Sequence, residues 1–275
     1  MKLRRYNTPK RSGILVQVTK DGPWGEVAPL PDWSRETLEE ARAELEKYKW
    51  VTKLEDLRKL DLLPSVRFGL ESALLPPLPP GPVPLSALFM GTPQEILAQA
   101  KEREAEGYLS AKLKVSQLSF GEAHEVIEQL ASRFFLRIDV NRAWNTEDSL
   151  QFFSKYPKDL FDYVEEPFKN PKELSRFTHP LAVDESFPSD LSLNDLEQLE
   201  HLKALIYKPM IQGGLKGALP LQAWCQRRGV QLVLSSSFES SVGLDHIAAL
   251  ARRLSPNPPP VGIGTRYFFE ELSPS

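Results

Sequence analysis

Along the chain, apolar residues gather into short runs that end in a charged residue, and helical-period stretches separate one run from the next. Ile14 to Val18 reads as a strand, and Thr19-Lys-Asp-Gly-Pro-Trp-Gly25 is turn chemistry with two glycines and a proline. A second strand near Glu26 to Leu30 completes a hairpin. Ser34 is expected to cap a helix ending near Tyr48, with Glu36, Glu39 and Glu40 where the helix N-terminus favours negative charge. A further helical segment spans Ser65 to Leu75, which makes this region an α+β unit. Pro76-Pro-Leu-Pro-Pro-Gly-Pro-Val-Pro84 cannot be helical and is read as an extended, rigid spacer marking a boundary.

Beyond the spacer, strand and helix alternate. Leu85 to Met90 is a strand, and Thr92-Pro-Gln-Glu95 is a capping box with proline at the first helical position, opening a helix to Glu106. Ser110 to Val115 is the next strand, and Ser119-Phe-Gly-Glu122 is a second capping box for a helix to Ser132. Phe135 to Val140 precedes a helix begun by Thr146-Glu-Asp148. The fourth, fifth and sixth strands end at Glu165, Asp184 and Lys208. Val230 to Ser235 is the seventh, followed by a helix from Val242 to Leu254, and Val261-Gly-Ile-Gly-Thr265 is a weakly marked eighth. Parallel neighbours need a crossover and a helix supplies it, so the pattern predicts a barrel of parallel strands ringed by helices. The rival is an open doubly wound sheet, which the lack of a glycine-rich loop after the first strand weakens.

With 275 residues and 41% hydrophobic content, the chain can bury a large core. A net charge of −3 with scattered Lys and Arg argues against a nucleic-acid partner. No run approaches the roughly 20 apolar residues of a membrane span, and no signal-peptide pattern follows the basic N-terminus, so no membrane partner and a cytoplasmic location are expected. The single cysteine, Cys225, excludes an internal disulfide, suits a reducing compartment, and is read as packing within a helix from Leu215 to Arg228. None of His124, His179, His201 and His246 falls at a predicted strand end, which argues against a histidine base or a zinc site.

The charged strand ends are the candidate chemistry. Asp139, Glu165 and Asp184 would converge on one barrel mouth, where three carboxylates raise one another's pKa unless a cation neutralises them. One such acid alone reads as a helix cap; three in register with flanking lysines read as ligands for a hard cation such as Mg²⁺. Lys112 and Lys114 lie two apart on one strand and share a face. Near a cation and near each other, their ammonium forms are expected to be disfavoured, bringing a lysine towards the range of a general base. Lys208 is expected across the barrel. Two lysines flanking a metal suit removal of a proton α to a carboxylate, with an enediolate as the intermediate.

Lys112-Leu-Lys114, Asp139-Val-Asn141, Glu165-Glu-Pro167, Asp184-Glu-Ser186 and Lys208-Pro209 resemble the motif series of the muconate-lactonizing subgroup of the enolase superfamily. Arg137-Ile-Asp-Val-Asn-Arg-Ala-Trp144, Ser235-Ser-Ser-Phe-Glu-Ser-Ser-Val-Gly243 and Trp24-Gly-Glu-Val-Ala-Pro-Leu30 resemble the o-succinylbenzoate synthases within it. The resemblance implies an α/β fold, a modified TIM barrel (β/α)7β over residues 81–275 with an N-terminal α+β capping domain over residues 1–80. It implies metal-dependent syn β-elimination of water from 2-succinyl-6-hydroxy-2,4-cyclohexadiene-1-carboxylate, giving 2-succinylbenzoate for menaquinone or phylloquinone biosynthesis. Lys114 inherits the roles of base and then acid, Lys208 faces the enediolate, and Lys112 assists with the substrate carboxylate and keeps the Lys114 pKa low. Asp139, Glu165 and Asp184 inherit Mg²⁺, with Mn²⁺ as a substitute. Arg137, Glu166 and Glu185 support the ligands from behind, and Asn141 fits both such support and a substrate-binding role. Ser235, Ser236, Ser237 and Gly262 are placed to take the succinyl carboxylate through hydroxyl and backbone N–H groups, and the Thr19 to Gly25 loop to close over the site.

An N-acylamino acid racemase or dipeptide epimerase would use the same lysines, although Gly262-Ile-Gly264 stands where dipeptide epimerases carry Asp-x-Asp. Muconate cycloisomerisation needs the same residue set. A non-catalytic barrel that only binds would be expected to have lost part of it. The small-molecule substrate is the partner these residues imply, and oligomeric state is left open.

Overall fold

The computed structural model describes residues 1–7, 11–79 and 81–265. The chain divides into two compact units, one comprising 1–84, 207–224 and 234–275, the other 85–206 and 225–233. Their first boundary falls at the end of the proline-rich stretch, which carries no helix or strand among its described residues.

The first unit begins with an antiparallel sheet in the order β1 (Lys2–Asn7), β2 (Ser12–Gln17), β3 (Trp24–Val27). The sequence pattern does not predict β1, because Lys-Leu-Arg-Arg-Tyr-Asn is too charged to read as a strand. It pairs along its whole length with β2, and its charges are those of a protected sheet edge. β3 stops at Val27, short of the predicted Leu30, because Pro29 and Pro31 have no N–H to offer a ladder. The cap assigned to Ser34 is also corrected. Ser34 instead accepts a hydrogen bond from the Leu30 N–H at 2.9 Å, and Thr37 caps α1 (Leu38–Lys47) in a reciprocal box with Glu40. Glu36 therefore lies outside α1. It is buried and accepts from the Ser65 N–H at 2.9 Å, serving the N-terminus of a later helix. After the short α2 (Leu54–Leu57), that helix is α3 (Pro64–Leu74).

Ile14, Val16, Val27, Ala41, Leu45 and Leu70 form the core of this region. α3 lies against β3 so closely that a Cβ on Gly25 would stand 1.9 Å from the Gly69 carbonyl oxygen. Only glycine permits that approach.

The alternating part follows the predicted pattern, with β4 (Ser86–Phe89), α4 (Pro93–Ala105), β5 (Ser110–Lys114), α5 (Phe120–Leu130), β6 (Phe135–Asp139), α6 (Thr146–Phe153) and β7 (Tyr163–Glu165). Both predicted capping boxes, Thr92 with Glu95 and Ser119 with Glu122, are formed. A 3₁₀ turn (Pro171–Arg176) leads to β8 (Leu181–Val183); α7 (Ser186–Ser189) and α8 (Leu193–Glu197) lead to β9 (Leu202–Tyr207). Then come α9 (Pro209–Gln212), α10 (Gly214–Arg228), β10 (Gln231–Leu234) and α11 (Ser241–Leu254). Strands β4 to β10 form one sheet in chain order, parallel from β4 through β9. The weakly marked eighth element forms no strand among the described residues, where Gly262 is held to Ser235 by an isolated bridge. Pro258, Pro259 and Pro260, just before it, cannot donate to a ladder.

One face of this sheet packs Tyr163, Ala182, Ala204, Ile206 and Val233 together, so alternate residues of each strand share an interior. On the helical side Phe120, Trp144, Phe152 and Phe153 pack edge-on or tilted against one another. Cys225 is buried in α10, as the packing reading requires. Among the described residues no helix is long and apolar enough to cross a membrane.

The tight β3–α3 contact yields a test. Gly25→Ala should lower the free energy of unfolding by at least about 1–3 kcal/mol, the usual cost of overpacking. A urea midpoint equal to that of the parent chain would show that the backbones can separate freely.

Candidate active site

Strand register builds the site. Lys114 pairs with Asp139 across β5 and β6, and Asp139 with Glu165 across β6 and β7, so the last residues of three neighbouring strands stand side by side. Lys112 lies two residues before Lys114 on the same face, level with Arg137. A slip of one residue would turn the whole row to the opposite face. On β8, Ala182 is level with Glu165, and Asp184 follows two residues later, just past the strand end.

The residues after these strand ends hold the row in place. Asn141, Arg142 and Glu166 all adopt left-handed backbone conformations, with φ of 48°, 55° and 45°, rare for residues other than glycine and common where a chain turns sharply at a site. The Asn141 N–H donates to Asp139 Oδ1 at 3.0 Å, while its side-chain oxygen accepts from the Lys114 ammonium at 3.1 Å. Glu166 accepts from the backbone N–H groups of Asp184 and Ser186 at 2.8 and 2.9 Å and from the Ser186 hydroxyl at 2.5 Å, which fixes the turn presenting Asp184. Burial, together with the charge of Glu185, pushes Glu166 up to about 7. Arg137 donates from Nε to Asp162 at 2.8 Å and lies over the Tyr163 ring, 4.8 Å from its centroid.

Asp139 and Glu165 are fully buried, and Asp184 is nearly so. The Lys112 ammonium stands between the first two, 2.8 Å from Asp139 Oδ2 and 2.6 Å from Glu165 Oε1; Lys114 Nζ is 3.8 Å from Asp139 Oδ2. Burial alone would lower the Lys112 pKa, but Asp139, Glu165 and Asp184 outweigh it and hold it well above the ordinary lysine value. The expectation of a disfavoured ammonium applies to a lysine beside a bound cation; with the acids alone around it, their charge sets the direction. Burial and the neighbouring Asp139 together push Glu165 well above the ordinary carboxylate range. Three buried carboxyl groups thus share the site with two lysines.

Those same groups fit a hard divalent ion by their chemistry. Glu165 Oε2 is buried without a hydrogen bond, and Asp139 Oδ2 has only ionic contacts with the lysines. All the donors are carboxylate oxygens. As the side chains stand, no three Asp, Glu, His or Cys among the described residues are gathered into a closed ligand shell. Lys112 occupies the space between two of the acids.

The other predicted residues belong to the first unit. Lys208 is the N-cap of α9, its N–H donates to Gln212 Oε1 at 2.7 Å, and its ammonium lies over the Trp33 ring, 5.3 Å from the centroid. Trp33 escapes the motif reading, because an isolated aromatic between predicted elements carries no spacing signal. Ser235 and Gly262 are joined by their bridge, and a Cβ on Gly262 would approach Ser235 Oγ to 2.7 Å. The backbone N–H groups expected to bind a carboxylate are committed elsewhere. That of Ser235 donates to Tyr207 O, that of Ser236 to Gly262 O, that of Ser237 to Glu239, and that of Gly262 to Leu234 O. Strand continuation and a buried acid have claimed them. The Ser236 hydroxyl pairs with Thr265 and that of Ser237 donates to Glu239, leaving Ser235 Oγ with a long 3.3 Å contact to the Gly262 carbonyl. The Thr19 to Gly25 segment is a turn closed by the Gly22 N–H on Thr19 O, with Gln17 Nε2 donating to Gly22 O.

Comparison with known proteins places this geometry in a family. Residues 1–76 match the family model of the MenC N-terminal domain, and residues 95–259 match the enolase C-terminal domain-like family. The o-succinylbenzoate synthase of Pasteurella multocida (strain Pm70) is 32% identical over 284 residues, covering 94% of this chain and 83% of the relative. Among solved structures, the magnesium complex of o-succinylbenzoate synthase from Thermosynechococcus elongatus BP-1 superposes with a TM-score of 0.72 at 24% identity, covering 95% of this chain and 89% of that one. The L-Ala-D/L-Glu epimerase of Bacillus subtilis, in a substrate-liganded complex, shares the fold with a TM-score of 0.74 at 18% identity, covering 97% and 87% of the two chains.

The raised Glu166 carboxyl gives the site a signature in stability. Folded, it keeps its proton up to about 7; unfolded, only to about 4.5, so stability should fall as pH rises from 4.5 to 7 and level off above. Glu166→Gln should flatten that part of the thermal-stability profile relative to the parent chain. A profile with unchanged slope would mean that Glu166 titrates as an ordinary surface acid.

Proposed function

The chain belongs to the o-succinylbenzoate synthase family of the enolase superfamily, and from that premise we propose how its own residues carry the reaction. The activity is dehydration of 2-succinyl-6-hydroxy-2,4-cyclohexadiene-1-carboxylate to 2-succinylbenzoate, a hydro-lyase step of menaquinone biosynthesis. The fold is the modified barrel of that superfamily with an N-terminal α+β domain. The observation that best supports the assignment of residues is the row Lys114, Asp139, Glu165 in unbroken register, with Asn141 joining the lysine to the acid.

In this reading Lys114 takes the proton α to the carboxylate, the carbon–oxygen bond to the ring hydroxyl then breaks, and the same lysine returns its proton so that water leaves and the ring becomes aromatic. Asn141 accepts from Lys114 Nζ and aims it. Asp139, Glu165 and Asp184 would hold Mg²⁺, which when bound supplies positive charge to the substrate carboxylate as the enediolate forms. Glu166 orients Asp184 through its backbone, and Glu185 adds its charge to Glu166. Lys112, paired with two of the acids, is assigned to the carboxylate as well. Lys208 is assigned to the enediolate charge, with the Trp33 face steadying its ammonium. Of the three serines, Ser235 is assigned to the succinyl carboxylate, because its hydroxyl has the weakest internal partner.

The decisive experiment is an ultraviolet assay with freshly prepared cyclohexadiene substrate and Mg²⁺. Rapid metal-dependent loss of the diene absorbance with 2-succinylbenzoate as product is expected, and a folded, metal-bound protein that leaves the diene unchanged would sink the assignment. In the same assay Lys114→Ala should lose at least about 10²–10⁴-fold in kcat, the range of a removed general base, with its melting temperature retained. Asp139→Asn should abolish the rise in melting temperature that Mg²⁺ gives the parent chain; a preserved rise would remove Asp139 from the ligand set.

A further inference from the structure

β3 carries a carboxylate that the reaction does not call for. Glu26 is completely buried, yet it accepts from the Ser240 N–H at 3.0 and 3.1 Å, the Ser240 hydroxyl at 2.5 Å, the Gly243 N–H at 2.9 Å and the Tyr6 hydroxyl. Ser240 is the N-cap of α11 but does not cap it with its own side chain; Glu26 meets the helix N-terminus in its place. A Cβ on Gly243 would lie 2.6 Å from Glu26 Oε2, so glycine is needed for the carboxylate to reach that far. Four residues before Gly243, Glu239, also fully buried, accepts from the Ser237 N–H at 2.7 Å and the Ser237 hydroxyl at 2.5 Å. Buried Arg11 lowers the pKa of Glu239 by its charge, partly offsetting the effect of burial.

Between Ser237 and Ser240, the residues these two acids hold, Phe238 has a φ of 67°, a left-handed conformation that a bulky side chain adopts only when its surroundings impose it. A buried carboxylate is costly to desolvate, and here that cost is offset only because Glu26 satisfies several buried donors at once. What the two acids provide is a fully specified path for residues 235–240, pinned on both sides of the strained position.

We propose that Glu26 is a positioning residue for the succinyl arm of the substrate: through Ser240 and Gly243 it holds the loop after β10 in the form that presents Ser235, with Glu239 holding the same loop at Ser237. The proposal rests on the assignment of Ser235 to the succinyl carboxylate. Nothing in it involves the metal or the lysines, so its effect belongs in binding of the arm and not in proton transfer.

The test uses the full Mg²⁺-loaded protein with 2-succinylbenzoate in titration calorimetry and the cyclohexadiene substrate in steady state. Glu26→Gln keeps the shape of the side chain but turns an N–H donor toward groups that are themselves donors. It should weaken 2-succinylbenzoate binding and raise KM about tenfold, as the loss of one charged hydrogen bond does, with a much smaller change in kcat. Ser235→Ala should weaken binding too, and the double variant should be no weaker than the weaker single one, because both act through one loop. Unchanged affinity in Ser235→Ala overturns the underlying assignment. Weakened Ser235→Ala with unchanged Glu26→Gln, additive losses in the double variant, or a fall in kcat with KM unmoved each overturn the positioning role alone. Should Glu26→Gln not fold, Ser240→Ala removes only the hydroxyl contact to Glu26, and a KM equal to that of the parent would count against the proposal equally.

Discussion

Negative charge crowded into a buried place is the constraint on which the site depends. Asp139, Glu165 and Asp184 come from the ends of consecutive strands of a parallel sheet, the first two level in register and the third just beyond its strand, and water has little access to any of the three. Burial strengthens their mutual repulsion, and the chain answers with Lys112 driven between two of them and Lys114 at the edge. The same crowding explains why this donor set suits a divalent cation. Stability and chemistry are in tension here, and the left-handed residues Asn141, Arg142 and Glu166 lie at the point of tension.

A second layer of acids acts on backbone instead of on charge. Glu166 grips the N–H groups of Asp184 and Ser186; Glu26 grips those of Ser240 and Gly243; Glu36 grips that of Ser65; Glu71 receives the N–H of Leu215 at 2.6 Å. Each stands at the start of a helix or turn whose first N–H groups have no partner within the element. Buried carboxylates used in this way set loop and turn geometry where side-chain caps such as Thr92 and Ser119 serve the exposed helices.

The likeness to an epimerase of the same fold carries no weight for the reaction, since lysines flanking a carboxylate triad serve any proton abstraction of this type. Membership in the synthase family decides for dehydration. Gly262-Ile-Gly264 agrees with it in the residues themselves, for it offers no acid to grip an ammonium group, and a side chain at 262 would have to displace the Ser235 hydroxyl.

Much of this molecule was legible in its sequence, because the signals were local. Strand-end charges, two capping boxes, alternation of strand with helix and the two-residue spacing of Lys112 and Lys114 depend on neighbours along the chain, and each is found as expected. Errors arose where a local signal had two possible uses. Ser34 and Glu36 looked like the start of α1, but packing gave that start to Thr37 and turned Glu36 to another helix. β1 lay hidden behind its charges until β2 was there to pair with it. The pairing of Lys112 with two buried acids, the commitment of the Ser235 to Ser237 N–H groups and the burial of Glu26 against Ser240 were decided only in three dimensions. Each depends on distances between segments far apart in the chain, and sequence order encodes which chemical groups are present but not which of them lie within a few ångströms of one another.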